Sequence, residues 1–339
     1  MKKHTKPILA AICLLIVTLV ACNKNAKAPA AKEGPLLSFA IVAYDQIGDR
    51  GFVDMANAGM VQAVEEFHIK YKLFSCNSDP SVLLDTLKAA AENFDVIYIL
   101  PGYVFDVEIE DVMRLYPDKM YIYLDGKTTL EGAYSISFNQ NEGSFLAGAL
   151  AAYLTTDTSV DMINEKKIVG FVGGADMPII REYQFGFEQG VAYVDKSIDV
   201  TVMYAGDHFD SAKGKITAFN VYSEGADVIF QAAGPTGLGV LEAAGDYGFI
   251  AIGVDTDQGY LYPGYIATSM LKRVDTAVYE VAKSIYSDEQ LEQETIYNLA
   301  NKGISLADNE YYADMVPEAI RNKIIELSDS IADGDIIVK

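Results

Sequence analysis

AIGVDTDQGYLYPGYIATSMLKRVD, residues 251–275, is the stretch whose reading decides the fold. It continues an apolar run of β type, Phe249 to Val254, that delivers two carboxylates, Asp255 and Asp257, at its carboxyl end. A loop of Gly, Tyr and Pro follows, then a second β-type run, Tyr265 to Met270, and then Lys272. In open α/β sheets, ligands sit outside the carboxyl ends of the strands, so Asp255 stands where a small molecule would be held. An Asp in that position also caps turns and helix starts, and both readings are carried forward.

Working outward, the same alternation fills the chain from Leu37 onward. Apolar runs at Ser38–Tyr44, Tyr71–Cys76, Asp95–Leu100 and Met120–Leu124 read as strands. Between them Phe52–Phe67, Ser81–Asn93 and a stretch ending near Leu115 have helical apolar spacing. The strands are continuous apolar runs rather than alternating ones, which argues for a parallel sheet covered on both faces. After Ala133–Phe138 the pattern restarts. Helices at Glu142–Leu154, Ile179–Val194, Ser211–Ser223 and Gly237–Tyr247 alternate with strands at Ile168–Val172, Asp199–Tyr204, Asp227–Gln231 and Phe249–Val254. A helix beginning near Val274 is expected to return to the first sheet. A last surface helix, Pro317–Ser330, is expected to turn Ile320, Ile324, Ile325 and Leu327 inward. The expected fold class is α/β, with two doubly wound parallel-sheet lobes. Residues 36–137 plus 270–300 make the first lobe and 138–269 plus 301–339 the second. Two such lobes joined by several crossings form a hinged cleft.

The amino end reads differently. Lys2, Lys3 and Lys6 precede an apolar run from Ile8 to Val20, too short for an ordinary membrane span, and a small residue precedes Cys22. Residues 1–21 read as a secretory signal. Their ending, Leu19-Val20-Ala21-Cys22, resembles the lipobox of bacterial lipoproteins, which implies cleavage before Cys22, lipid on its sulfur and a membrane-anchored, exported protein. Residues 22–35 then form a lipid-anchored tether, polar and rich in Ala, Lys and Pro. Beyond Cys22 the only cysteine is Cys76, so no intramolecular disulfide is available. The formal charge of the whole chain is −22, and the leader holds lysines without acids, so the remainder is more acidic still. Such a field does not favour nucleic acid or an anionic membrane surface as partner.

Few residues offer catalysis. There are three histidines, one of them in the leader, and the chain lacks a G-x-S-x-G elbow, a P-loop and any Cys/His metal spacing. The turn Gly170-Phe-Val-Gly-Gly-Ala lacks the G-x-G-x-x-G register, and its glycines read as room for a close approach at the strand end. The chain is therefore read as a binder without cofactor or metal. A nucleoside- or sugar-processing enzyme on the same cleft, and a ligand sensor or adhesin, stay open as alternatives. Strand ends repeat a kit of acids and aromatics: Tyr44-Asp45-Gln46 before Asp49 and Phe52, Pro101-Gly102-Tyr103, Asp125-Gly126, and Asp207-His208-Phe209-Asp210. Capping explains part of the Asp content but not Phe52 and Phe209, each in a strand-to-helix loop. If the two rings face each other they make a slot for a flat ring, where stacking contributes roughly 1–3 kcal/mol per base. A carboxylate such as Asp255 accepts from vicinal hydroxyls, and Lys272 adds a donor. Aromatic slot, diol acceptor and the absence of a basic cluster fit a nucleoside better than a nucleotide or a bare sugar.

At these residues the chain resembles the basic membrane protein family of bacterial lipoproteins, whose members include purine-nucleoside receptors of ABC importers. The resemblance rests on YDQIGDRGF (44–52), ISFNQNEGSFLAGALAAYL (136–154), KIVGFVGGADMPIIREYQFGFEQGVAYV (167–194), YAGDHFDSAKGK (204–215), QAAGPTGLGV (231–240), IGVDTDQ (252–258) and TSMLKRVD (268–275). It implies the type I periplasmic-binding-protein fold and a purine nucleoside such as guanosine, inosine or adenosine as ligand. It also implies a permease and an ATPase as partners of a monomeric receptor. Phe52 and an aromatic of the 204–210 loop would sandwich the base; that aromatic aligns with His208 or Phe209, and Phe209 is favoured because it stacks without a protonation requirement. Asp45 and Asp125 would reach the base, and Asp255 and Lys272 would hold the ribose. Tyr183, where the family usually has Phe, and Gly234 complete the expected ligand-binding set. Val53 departs from the family's Asn, which bears on one hydrogen bond at the base edge.

Overall fold

The structure is a computed structural model that describes residues 36–339. The expected signal, the tether and Cys22 lie outside the described residues. In chain order the elements are β1 (Ser38–Ala43), α1 (Phe52–Phe67), β2 (Lys70–Ser75), α2 (Leu83–Asn93), β3 (Val96–Leu100), α3 (Glu108–Leu115), β4 (Met120–Leu124) and β5 (Ala133–Phe138). There follow α4 (Gln140–Thr155), β6 (Ile168–Gly173), α5 (Pro178–Val194), β7 (Asp199–Tyr204), α6 (Ser211–Glu224), β8 (Val228–Ala232), α7 (Gly237–Tyr247), β9 (Ile250–Asp255) and β10 (Ile266–Lys272). The chain ends with α8 (Val274–Tyr286), β11 (Glu294–Tyr297), β12 (Ile304–Leu306), α9 (Glu310–Met315) and α10 (Glu318–Ala332).

Two six-stranded sheets result, ordered β2-β1-β3-β4-β5-β11 and β7-β6-β8-β9-β10-β12. All pairings are parallel except β10 with β12. Most strands are reached through a helix that crosses a sheet face, which sets them parallel and dries the central ones on both faces; β5 and β10, also parallel, are reached by loops. The six residues of β1 and the five of β3 and β8 are all buried. In both sheets the order reverses beside the first strand, between β1 and β3 and between β6 and β8. A crevice opens there at the carboxyl ends. This is the type I periplasmic-binding-protein fold.

The chain passes between the sheets three times: from β5 to α4, from β10 to α8, and from β11 to β12. Helix α8 packs against α1 over the first sheet. The middle crossing lies after Lys272, so Met270, Leu271 and Lys272 belong to the second sheet and not to the first lobe as expected. The reason is register: Met270 and Leu271 pair with Val254 and Asp255, and Lys272 with Ile304. In the second lobe α4 and α5 cross closely because glycines stand at the contact. A Cβ at Gly148 would strike the Phe187 carbonyl, and one at Gly190 that of Phe145. On α10, Ile320, Ile324, Leu327 and Ile331 are buried, whereas Ile325 is 55% exposed. Adjacent positions on a helix lie about 100° apart, so Ile324 and Ile325 cannot both turn inward. Among the described residues no helix is long and apolar enough to cross a membrane.

Candidate functional site

The loop after β1 is built by its acids. Asp49 accepts the backbone N–H groups of Gly51, Val53 and Asp54 at 2.8–3.1 Å, satisfying donors that the first turn of α1 leaves free. Asp54 in turn accepts from Gly48 and Arg50. This lattice fixes Phe52 as the first residue of α1. Asp45 caps nothing, and burial, aided by the charge of Asp49, pushes its carboxyl up to about 7.

In the second lobe the acids divide the same way. Asp207 accepts from the N–H of Phe209 at 2.8 Å and bridges to Lys213, and Asp210 caps α6 through the N–H of Lys213. Asp255 caps no helix. It ends β9 with φ 66, and Asp125, just beyond β4, has φ 57. Both strand-end acids thus occupy the left-handed region, an uncommon conformation that recurs at functional sites. A buried amide pair steadies the floor: Gln258 Oε1 accepts from Gln231 Nε2 and from the N–H of Val254, while Gln231 Oε1 accepts from the N–H of Ala233. Gly234, with φ 55, follows directly.

Asp45, Phe52, Phe209, Gly234 and Asp255 border one cavity of about 60 Å³ between the lobes, together with Asp49, His208 and Gln258. Phe52 and Asp255 come from different lobes, and Thr256 Oγ1 donates to the Arg50 carbonyl at 3.3 Å across the same seam. Burial pushes the Asp255 carboxyl up to about 6, against the opposing pull of Lys272.

Asp125, Lys272 and Tyr183 form a second group beside that cavity. Lys272 is 2% exposed and its Nζ lies 2.7 Å from Asp125 Oδ1, so the pair ties the end of β10 to the end of β4 across the lobes. The ammonium stands 4.9 Å from the Phe138 ring, 5.2 Å from Phe52 and 5.8 Å from Tyr183, within cation–π reach of each, and 3.4 Å from the Tyr183 hydroxyl. Lys272, expected to hold the ribose with Asp255, is ion-paired with Asp125, and its charge also acts on Asp255. Beyond Asp125 a larger chamber of about 540 Å³ extends along the β5-to-α4 crossing, lined by Tyr103, Phe138, Gln140 and Glu182 among others. Gln140 donates to Glu182, whose carboxyl is raised by burial, and its own Oε1 has no partner. Sequence reading passed over Phe138, Gln140 and Glu182. Phe138 and Gln140 flank the β5-to-α4 crossing and Glu182 reaches them from α5, placements that no spacing displays. Among the described residues no group of three or more His, Cys, Asp or Glu is placed to hold a metal ion.

Residues 37–339 match the Bmp family, described as ABC transporter substrate-binding protein PnrA-like. Basic membrane protein A of Borreliella burgdorferi is 29% identical over 96% of this chain and 94% of its own length. Basic membrane protein D of the same species is 35% identical over a shorter span, 60% of this chain and 58% of that protein. Among solved structures, a solute-binding protein of an ABC transporter system from Aeropyrum pernix superposes with a TM-score of 0.78 at 24% identity. That match covers 89% of this chain and 94% of the other.

Proposed function

The chain belongs to the PnrA-like family of ABC-transporter substrate-binding proteins, and from that premise we propose that it captures a purine nucleoside between its lobes. The observation that carries the reading is the convergence of Phe52 with Asp45 from one lobe, and of Phe209 with Asp255 from the other, on a single cavity. Phe52 and Phe209 stack on the two faces of the base, and Asp255 accepts from the ribose hydroxyls through two oxygens. Asp45 meets donors on the base edge. Hydrogen bonds to a charged acceptor are worth roughly 1.5–3 kcal/mol each, enough to orient a neutral guest.

The cavity of about 60 Å³ is smaller than the roughly 300 Å³ at which ligand pockets begin. The nucleoside therefore enters with the lobes parted, and closure about the three crossings follows from contacts made only in the closed form. The receptor is anchored through lipid on Cys22, acts as a monomer, and passes its ligand to a permease driven by an ATPase. It performs no chemistry on the nucleoside, and incubation with it releases no free base.

Ligand that binds only the folded state stabilises it by mass action, about 2.7 kcal/mol at a hundredfold excess over Kd. Guanosine, inosine or adenosine is expected to raise the melting temperature by several degrees. A shift produced by a sugar or a peptide, with none from any nucleoside, rejects the reading.

A further inference from the structure

The chamber of about 540 Å³ shares no lining residue with the small cavity that Phe52 and Asp255 border. Its volume lies within the roughly 300–1,000 Å³ usual for small-molecule pockets. Of its lining residues only Asp125 was expected to touch a nucleoside, and Asp125 Oδ1 is taken by Lys272. One face of α5 turns into the chamber: Pro178, Glu182 and Phe185, spaced i, i+4 and i+7, all line it, whereas Tyr183 and Phe187 on the other face are buried. Phe138, at the end of β5, faces it from the first lobe. Gln140, the first residue of α4, is 2% exposed; its amide nitrogen donates to Glu182, and its Oε1 is buried without a hydrogen-bond partner. Such an acceptor has lost its water and gained nothing in return. Burial lifts the Glu182 carboxyl above its ordinary range, against the Gln140 hydrogen bond. The neighbouring cations are committed elsewhere: Lys127 stands 2.8 Å from Glu294, and Lys272 2.7 Å from Asp125. Lys339 also borders the chamber, its backbone held by the Gln189 amide.

We propose that this chamber is a second binding site, for a small organic amine, whose ammonium donates to Gln140 and Glu182 while its apolar body lies against Phe138, Ile179 and Phe185. The groups left without partners there are acceptors, and an ammonium is the complementary guest because it has three donors and no acceptor. The rings of Phe138 and Phe185 add cation–π attraction. The chain's net charge of −22 gathers cations at its surface. A carboxylate or phosphate meets Glu182 with the wrong sign, and a purely apolar guest leaves the Gln140 acceptor unpaired. The site stands apart from the nucleoside reading, and both guests fit at once because no residue lines both spaces.

The test is titration calorimetry of the full chain with phenethylamine, and with phenethyl alcohol and phenylacetate as neutral and anionic controls of similar shape. Phenethylamine is expected to bind with a Kd of about 1 mM or tighter, and both controls at least about tenfold more weakly. Glu182→Gln keeps an acceptor for the Gln140 amide and removes the charge; it is expected to cost at least about tenfold in amine affinity. Phe185→Ala, at a half-exposed position, is expected to cost at least about threefold. Melting temperatures of the unliganded variants, expected not to fall below wild type, separate binding from folding; if Glu182→Gln melts lower, Phe185→Ala decides alone. Absence of amine binding, an alcohol that binds as tightly, or unchanged affinity in the variants overturns the proposal. With whichever of guanosine, inosine and adenosine binds held at saturation, amine affinity is expected to stay within about threefold. Full displacement makes the chamber part of the nucleoside site and overturns the proposal. If none of the three nucleosides binds, the nucleoside reading falls, while the amine titration still decides this one.

Discussion

Asp45 and Asp255 are acids that the fold holds above their ordinary range, at about 7 and about 6, chiefly by burial. An acid whose folded pKa exceeds its unfolded value of about 3.9 binds more protons folded than unfolded. Stability of the unliganded protein therefore falls as pH rises between about 4 and 7, and the loss is complete above the folded pKa. Asp45→Asn is expected to raise the melting temperature at pH 8 and to change it little at pH 4; a larger gain at pH 4 contradicts this. Phe52→Ala and Asp255→Ala are each expected to weaken nucleoside binding at least tenfold, about 1.4 kcal/mol. Unchanged affinity in both places the ligand elsewhere. At this scale the sequence showed which strands end in acids but not what each acid does. Asp49 and Asp45 look alike in the sequence, yet one is spent on the N–H groups of Gly51, Val53 and Asp54 at the start of α1 and the other on none. Only the placement of the helix start separates them.

Two strands meet chemically where β4 and β10 end, in the buried pair of Asp125 and Lys272. Removing one partner of a buried pair strands the other, at a cost of about 3–5 kcal/mol. Asp125→Ala is expected to lower stability by that amount in urea unfolding, and Lys272→Met added to it to recover most of the loss. A neutral Asp125→Ala would mean that Lys272 finds water or another acid. Elements were legible wherever burial left a mark in the sequence: β3 and β4 are unbroken apolar runs, and β1 and β8 are apolar but for Ser38 and Gln231, because both of their faces are covered. Strands β11 and β12 went unread because ETIY and ISL are short and mixed, and they exist only because a sheet edge stood ready to pair with them. The pairing of Asp125 with Lys272 was likewise hidden. Their separation along the chain says nothing about two strand ends facing each other.

For the whole molecule, the two sheets share one strand order, so both lobes aim a reversal point at the same cleft. Asp125 of the Asp125–Lys272 pair lines the larger chamber, and Lys272 stands 5.2 Å from the ring of Phe52, which borders the small cavity. Opening about the crossings at Asn139, Arg273 and residues 298–303 would part that pair and join the two spaces. The most direct measurement is native mass spectrometry of the desalted protein mixed with equal amounts of guanosine, inosine, adenosine, a hexose and a dipeptide. The account predicts a single adduct at the mass of one nucleoside; an adduct of the hexose or the dipeptide, or none with any nucleoside, would contradict it.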